Sequence, residues 1–328
     1  MDIIKLRNLS RFFSDTIDTL ALNWKKVLPV SACVFLPVAV LYAFSFKLLF
    51  ACLPELAGLK DLPPGEAGHA LTLLTGLILP FILLFLAMIL FRLATGFMTM
   101  FAAKSLFEGT RTVPELLKET AGLLPAYIGQ WVVTGSIMSV VVLAYYAIAV
   151  FAGVSMGMSR VAHGSAIAGI LAIIAATIAY LAFTLWFQVK TCFAPIALSF
   201  EKGFGAFDSL GKSFRLVRGQ FWRVLGLTLL ATIALSFSLT IMTGPVVFTL
   251  MIPGYVGMIK SMIADQNNWE GMLRLFSGSF VWGMAASLFL NAVGSALLYP
   301  AYLSLLYADL KIRKSELTES VTPVQGTV

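Results

Sequence analysis

Six long apolar runs separated by short polar stretches dominate the pattern of this 328-residue chain. They cover residues 27–46, 70–91, 127–152, 165–189, 224–242 and 276–299. A helix crossing a hydrocarbon core needs about 20 apolar residues. Backbone groups in lipid must be paired internally, so each run is predicted to be a transmembrane helix. Pro37 and Pro80 are expected kink points in the first two. A seventh apolar stretch, 244–259, contains Pro245, Pro253, Gly254 and Gly257 and is short for a span. It is expected to be re-entrant or an external extension of the fifth span.

Between the runs, mixed polarity recurs. The stretches SDTIDTLALNWKKVL, VPELLKETAGLLPAYI and AFDSLGKSFRLVRGQFWRVL precede the first, third and fifth spans. In the third, Phe207, Leu210, Phe214, Val217 and Phe221 recur at three- and four-residue spacing, which predicts one apolar helical stripe. Lys212, Arg215 and Arg218 fall elsewhere, and Trp222 and Arg223 suit the headgroup level. Gly219 permits a bend before the fifth span. The predicted fold is therefore all-α and polytopic: six transmembrane helices plus three interfacial amphipathic helices. One integral membrane domain is expected over 1–314, built as units 10–103, 104–190 and 191–314, with a flexible cytoplasmic tail at 315–328.

Composition agrees with this pattern. Hydrophobic residues make up 59%, charged residues 12%, and mean hydropathy is +0.91. The net charge of +7 then points to anionic headgroups rather than to nucleic acid. With both termini cytoplasmic, eighteen Lys and Arg fall inside and five outside, the five being Lys47, Lys60, Arg160, Lys260 and Arg274. That bias predicts a bacterial inner-membrane protein with cytoplasmic termini and loops 53–69, 153–164 and 244–272 external. Cys33, Cys52 and Cys192 form no CxxC pattern, so neither a disulfide framework nor a metal site is implied.

Candidate chemistry is sparse. Gly211-Lys212-Ser213 ends like a phosphate-binding P-loop, but Ala206 stands where the first glycine belongs and no strand precedes it. The helical reading accounts for more residues. All sixteen acidic residues lie outside the six runs, which argues against an intramembrane proton relay. His69 and His163 with Ser277 or Ser279 form at most a weak dyad, and two histidines alone make a poor zinc site. Small residues recur every fourth position at Gly164, Ala168, Ala172 and Ala176, and again at Gly283, Ser287, Asn291 and Ser295. Both ridges are expected to be buried helix contacts, with Asn291 facing protein or a wet cavity. Glu201, Asp309 and Arg313 are expected to form an ion cluster at the cytoplasmic border, with Asp309 and Arg313 at i,i+4 spacing.

The segment FAPIALSFEKGFGAFDSLGKSFRLVRGQFWRVLGL, followed by YPAYLSLLYADLKIRK, resembles a group of bacterial integral membrane proteins. Some of these are labelled as the membrane domain of glycerophosphoryl diester phosphodiesterases. Glu201, Ser213, Leu216, Gly219, Trp222, Arg223, Tyr307, Asp309, Leu310 and Arg313 carry the resemblance. It implies a membrane architecture and no reaction, because the phosphodiesterase label belongs to a soluble catalytic domain that this sequence does not contain. The expected role is a non-enzymatic scaffold or accessory subunit without a cofactor. Its basic face would meet anionic lipid or a membrane-protein partner. The alternative is a transporter or channel-like protein for a small or lipid-like molecule. A polar cavity at Asn291 favours that alternative, whereas a close-packed interior favours the scaffold.

Overall fold

The computed structural model describes residues 9–57, 67–107, 111–158, 163–201, 203–264 and 276–319. Among these there is no strand. The helices are α1 (Leu9–Ala57), α2 (Ala67–Phe107), α3 (Val113–Met158), α4 (His163–Thr191), α5 (Ala194–Phe200), α6 (Ala206–Val217), α7 (Phe221–Ala264) and α8 (Val281–Glu319). A short π-helical turn, Phe276–Phe280, precedes α8 and contains a break at Gly278. Six helices are long and apolar enough to cross a membrane, and the chain is an integral, multi-pass membrane protein. The candidate spans run from Asn23–Cys52 to Gly278–Lys314.

All six exceed what a bilayer requires. The 41-residue α2 is about 60 Å long at 1.5 Å per residue, against about 30 Å of hydrocarbon. The amphipathic stretches differ in how they use this surplus. The first two run unbroken into α1 and α3, whereas the third is set off as α6. Asp208 accepts a hydrogen bond from the Gly205 N–H at 3.1 Å, and its charge suits the positive end of α6. At the other end Arg218 is extended and Gly219 has φ +85°. That left-handed conformation is open to glycine at little strain, and the chain re-enters a helix at Phe221. Residues 244–259 continue α7 as helix through Pro245 and Pro253. The stretch is thus an extension of the fifth span.

Contacts gather the chain into two compact units that cut across the three sequence units. Leu117–Leu230 and the chain from Leu303 onward form the first unit. Ser10–Leu116 and Ala231–Tyr302 form the second.

Candidate functional site

In the first unit, α6 packs against α4 and α5. Its buried face is Ser209, Leu210, Ser213, Leu216 and Val217. Phe214 meets Trp186 and Phe187 edge-on at centroid distances of 6.1 and 6.4 Å. Phe207, expected to point inward with this stripe, is instead 73% exposed. At a membrane border an exposed aromatic ring meets lipid and carries no penalty, so apolarity alone does not mark the inner face.

Gly211-Lys212-Ser213 lies inside α6, where backbone N–H groups are already spent on the helix. Ser213 is fully buried. Its hydroxyl donates to the Lys190 carbonyl at 2.6 Å and accepts the Phe193 N–H at 3.3 Å. It braces the α4–α5 turn and is not a phosphate loop.

Two polar latches tie α8 to its neighbours in this unit. In one, Glu201 Oε1 accepts from the Tyr307 hydroxyl at 3.1 Å and from Lys311 Nζ at 3.0 Å, with Lys212 Nζ at 3.8 Å. The Tyr307 ring stands 6.1 Å from both Phe193 and Phe200, so aromatic packing fixes its hydroxyl. The hydrogen bond from Lys311, together with its charge, holds the Glu201 carboxyl below its ordinary value of 4.5. In the other latch Asp309, only 2% exposed, receives Arg223 and Arg313 on the same Oδ2, each at 3.0 Å. The i,i+4 pair Asp309–Arg313 therefore forms. Arg223 departs from its expected place at the headgroups. A buried carboxylate needs a cation more than water-facing lipid does. Trp222 beside it is 78% exposed. Most polar residues that carry the family resemblance are thus the residues of the two latches and the Ser213 brace.

Lys212 is partly buried beside Glu201, and Arg215 and Arg218 are exposed. The structure brings to them two lysines that the sequence reading left out of this face. Lys314 Nζ donates to the Arg215 carbonyl. The charge of Lys190 also acts on Lys314.

The second unit contains a cleft of about 750 Å³. Its walls come from α1, α2, α7 and α8, and it follows α8 from Met284 to Pro300. Its lining is mostly apolar and contains no Asp, Glu, Lys, Arg or His. Ser287, Asn291 and Ser295 line it; Gly283 does not. Gly283 instead packs against Met251, with a second close approach where Gly294 meets Leu239. A Cβ at either glycine would collide with the α7 side chain; of the expected ridge Gly283 is thus a close helix contact, whereas Ser287 and Asn291 are half-buried and Ser295 is exposed at the cleft. On α4 the expectation is overturned: Ala168 and Ala172 are exposed and Ala176 is only half-buried. The Gly164 side of that ridge lies outside the residues whose side chains are described. Small residues permit close approach without compelling it.

Asn291 Nδ2 donates to the Ser287 carbonyl at 2.8 Å and reaches Ser287 Oγ at 3.3 Å. A carbonyl can only accept, so this contact fixes the amide with its own oxygen turned away. The side chains of His69, His163 and Ser277 lie outside the described residues, so the dyad is not placed. Ser279 lies close to Gly254, whose added Cβ would come within 2.8 Å of the Ser279 hydroxyl. No family model, curated protein or solved structure matches the chain.

Proposed function

We propose that this chain is a non-enzymatic membrane protein that takes a neutral, elongated amphiphile into the cleft of its second unit, as a carrier or transporter does. The observation that supports this reading is a cleft of about 750 Å³ lined by residues of four candidate spans, with no charged residue in its walls. Ligand sites of 300–1,000 Å³ are ordinary for small molecules. From Met284 to Pro300 the cleft follows sixteen positions of helix, about 24 Å, which suits an acyl chain better than a compact solute. The lack of charge disfavours an ionic ligand, because an ion left unpaired in an apolar wall loses far more solvation than it regains. The oxygen of Asn291 supplies an acceptor for a hydroxyl or amide N–H of the ligand. A close-packed interior would have favoured the scaffold reading, and this cleft weighs against it.

The proposal extends to setting. The charge bias supports a bacterial inner membrane with both termini cytoplasmic, and the layout resemblance to phosphodiesterase membrane domains is part of the same proposal.

Binding of a fluorescent long-chain diacylglycerol to the purified protein in mild detergent tests it. We expect saturable binding at one per chain. Ser295→Trp should abolish this binding without lowering thermal stability, because Ser295 is exposed at the cleft. Non-saturable binding, or equal binding by the Trp variant, would refute the reading.

A further inference from the structure

The strongest unassigned feature lies in the first unit, apart from the cleft. Lys314 Nζ donates to the Arg215 carbonyl, the Ser213 hydroxyl of α6 donates to the Lys190 carbonyl, and the charges of Lys190, Lys212, Arg215 and Arg218 all act on Lys314. Lys311 joins them through Glu201, which it shares with Lys212. These six cations come from the end of α4, from α6, from the α6–α7 turn and from the C-terminal part of α8. The carboxylates near them are already committed. Glu201 meets two of the lysines, Asp309 is held by Arg223 and Arg313, and Asp208 caps the N-terminus of α6.

Among the described residues one carboxylate stands against these six cations, which concentrates positive charge there. The Arg215 carbonyl that receives Lys314 acts on it as a dipole, as carbonyls at helix C-termini do for nearby cations. Like charges held together favour an anion that can accept from several directions at once. A phosphate group does this, with oxygens on every side and affinity for both ammonium and guanidinium donors. A carboxylate offers two oxygens in one plane and meets fewer of them. The neighbourhood is also a membrane border. Phe207 and Trp222, in the first turns of α6 and α7, are 73% and 78% exposed, and aromatic rings of this kind settle at headgroup depth.

We infer that Lys190, Lys212, Arg215, Arg218 and Lys314 form a binding site for a phosphate-bearing anion, with Lys311 and Glu201 setting the position of Lys212. The site differs from the basic face read from sequence. Arg223 leaves it for Asp309, and Lys190 and Lys314 enter it. Two sources supply this chemistry: the phosphomonoester headgroup of a lipid, and phosphate or pyrophosphate in solution.

The test uses the full chain in neutral detergent and follows its thermal midpoint during titration with phosphatidic acid, with phosphatidylcholine, and with sodium phosphate and pyrophosphate. We expect phosphatidic acid to raise the midpoint and phosphatidylcholine to leave it unchanged. The double variant Lys212→Gln, Lys314→Gln should raise half-saturation about thirtyfold. Lys212→Arg, Lys314→Arg should restore it. Lys25→Gln, exposed on α1, should have no effect. If the Gln pair does not fold, Arg215→Gln with Arg218→Gln, both exposed, gives the same reading with less structural disturbance. A response to the soluble anions as strong as that to phosphatidic acid assigns the site to a solution ligand; a response to the lipid alone assigns it to a headgroup. The inference is overturned if no phosphate-bearing probe shifts the midpoint, or if the charge-removing variants bind within threefold of the parent. It is also overturned if Lys25→Gln weakens binding as much as they do.

Discussion

Glu201 shows how one side chain can organise a border region. It collects Tyr307, Lys311 and Lys212 on a single oxygen, and so joins the end of α5 to α6 and α8. Lys311 foremost keeps its carboxyl below the ordinary value of 4.5. A carboxyl lowered in the folded state gives stability that is fully present above its unfolded pKa and is lost as pH falls through the folded value. Thermal unfolding followed between pH 7 and 3 should therefore show the parent losing stability below about 4.5. Glu201→Gln should lower the midpoint at pH 7 and make that fall shallower. Parallel profiles for the two proteins would mean that the latch does not act through charge. Little of this was visible in the sequence. Glu201, Asp309 and Arg313 were readable as a border cluster, and the i,i+4 spacing gave one pair. The partners of Glu201 on α8 lie 106 and 110 positions away, and no local periodicity records such distances.

Helices were the legible scale, and their faces were not. Six runs of apolar residues predicted six spans because lipid forces backbone pairing within each segment. The same lipid removes the rule that apolar residues turn inward, and both failures of the sequence reading follow from that. On α6 the serines are inside and Phe207 is outside. On α4 the small-residue ridge is exposed. On α8 only Gly283 of the expected ridge marks a contact, as does Gly294 outside it, each letting an α7 side chain approach the backbone, while Ser295 is exposed. The two ridges should therefore respond differently to bulk. Gly283→Leu would drive its side chain into Met251 and should destabilise the protein by about 1–3 kcal/mol. Ala172→Leu should leave the thermal midpoint in detergent unchanged. Equal tolerance at both positions would show that the α7–α8 contact has room to relax.

Across the whole chain, the number of crossings decides which surfaces share a compartment. The apolar stretch 244–259 is the point on which parity turns, since a seventh crossing would place the two ends of the chain on opposite sides. Its continuity with α7, a single helix of 44 residues, removes the need for a separate span. With six, Lys311, Arg313 and Lys314 share a side with Lys212, Arg215 and Arg218, and the salt bridge from Lys311 to Glu201 requires that shared side. The proposed orientation then places eighteen basic residues in the cytoplasm and five outside. The loops 53–69 and 153–164 and the segment 265–272 contain residues outside the described set, so their sidedness has to be measured directly. In a variant with Cys33, Cys52 and Cys192 replaced by serine, single cysteines at Gly65 and Ser320 serve as reporters. A membrane-impermeant maleimide added to intact cells should label Gly65→Cys at once and Ser320→Cys only after permeabilisation. Labelling of both from outside would give an odd number of crossings. Labelling of Ser320→Cys alone would keep six crossings and invert the chain, which would turn the phosphate site toward the exterior and leave the charge bias without its cause.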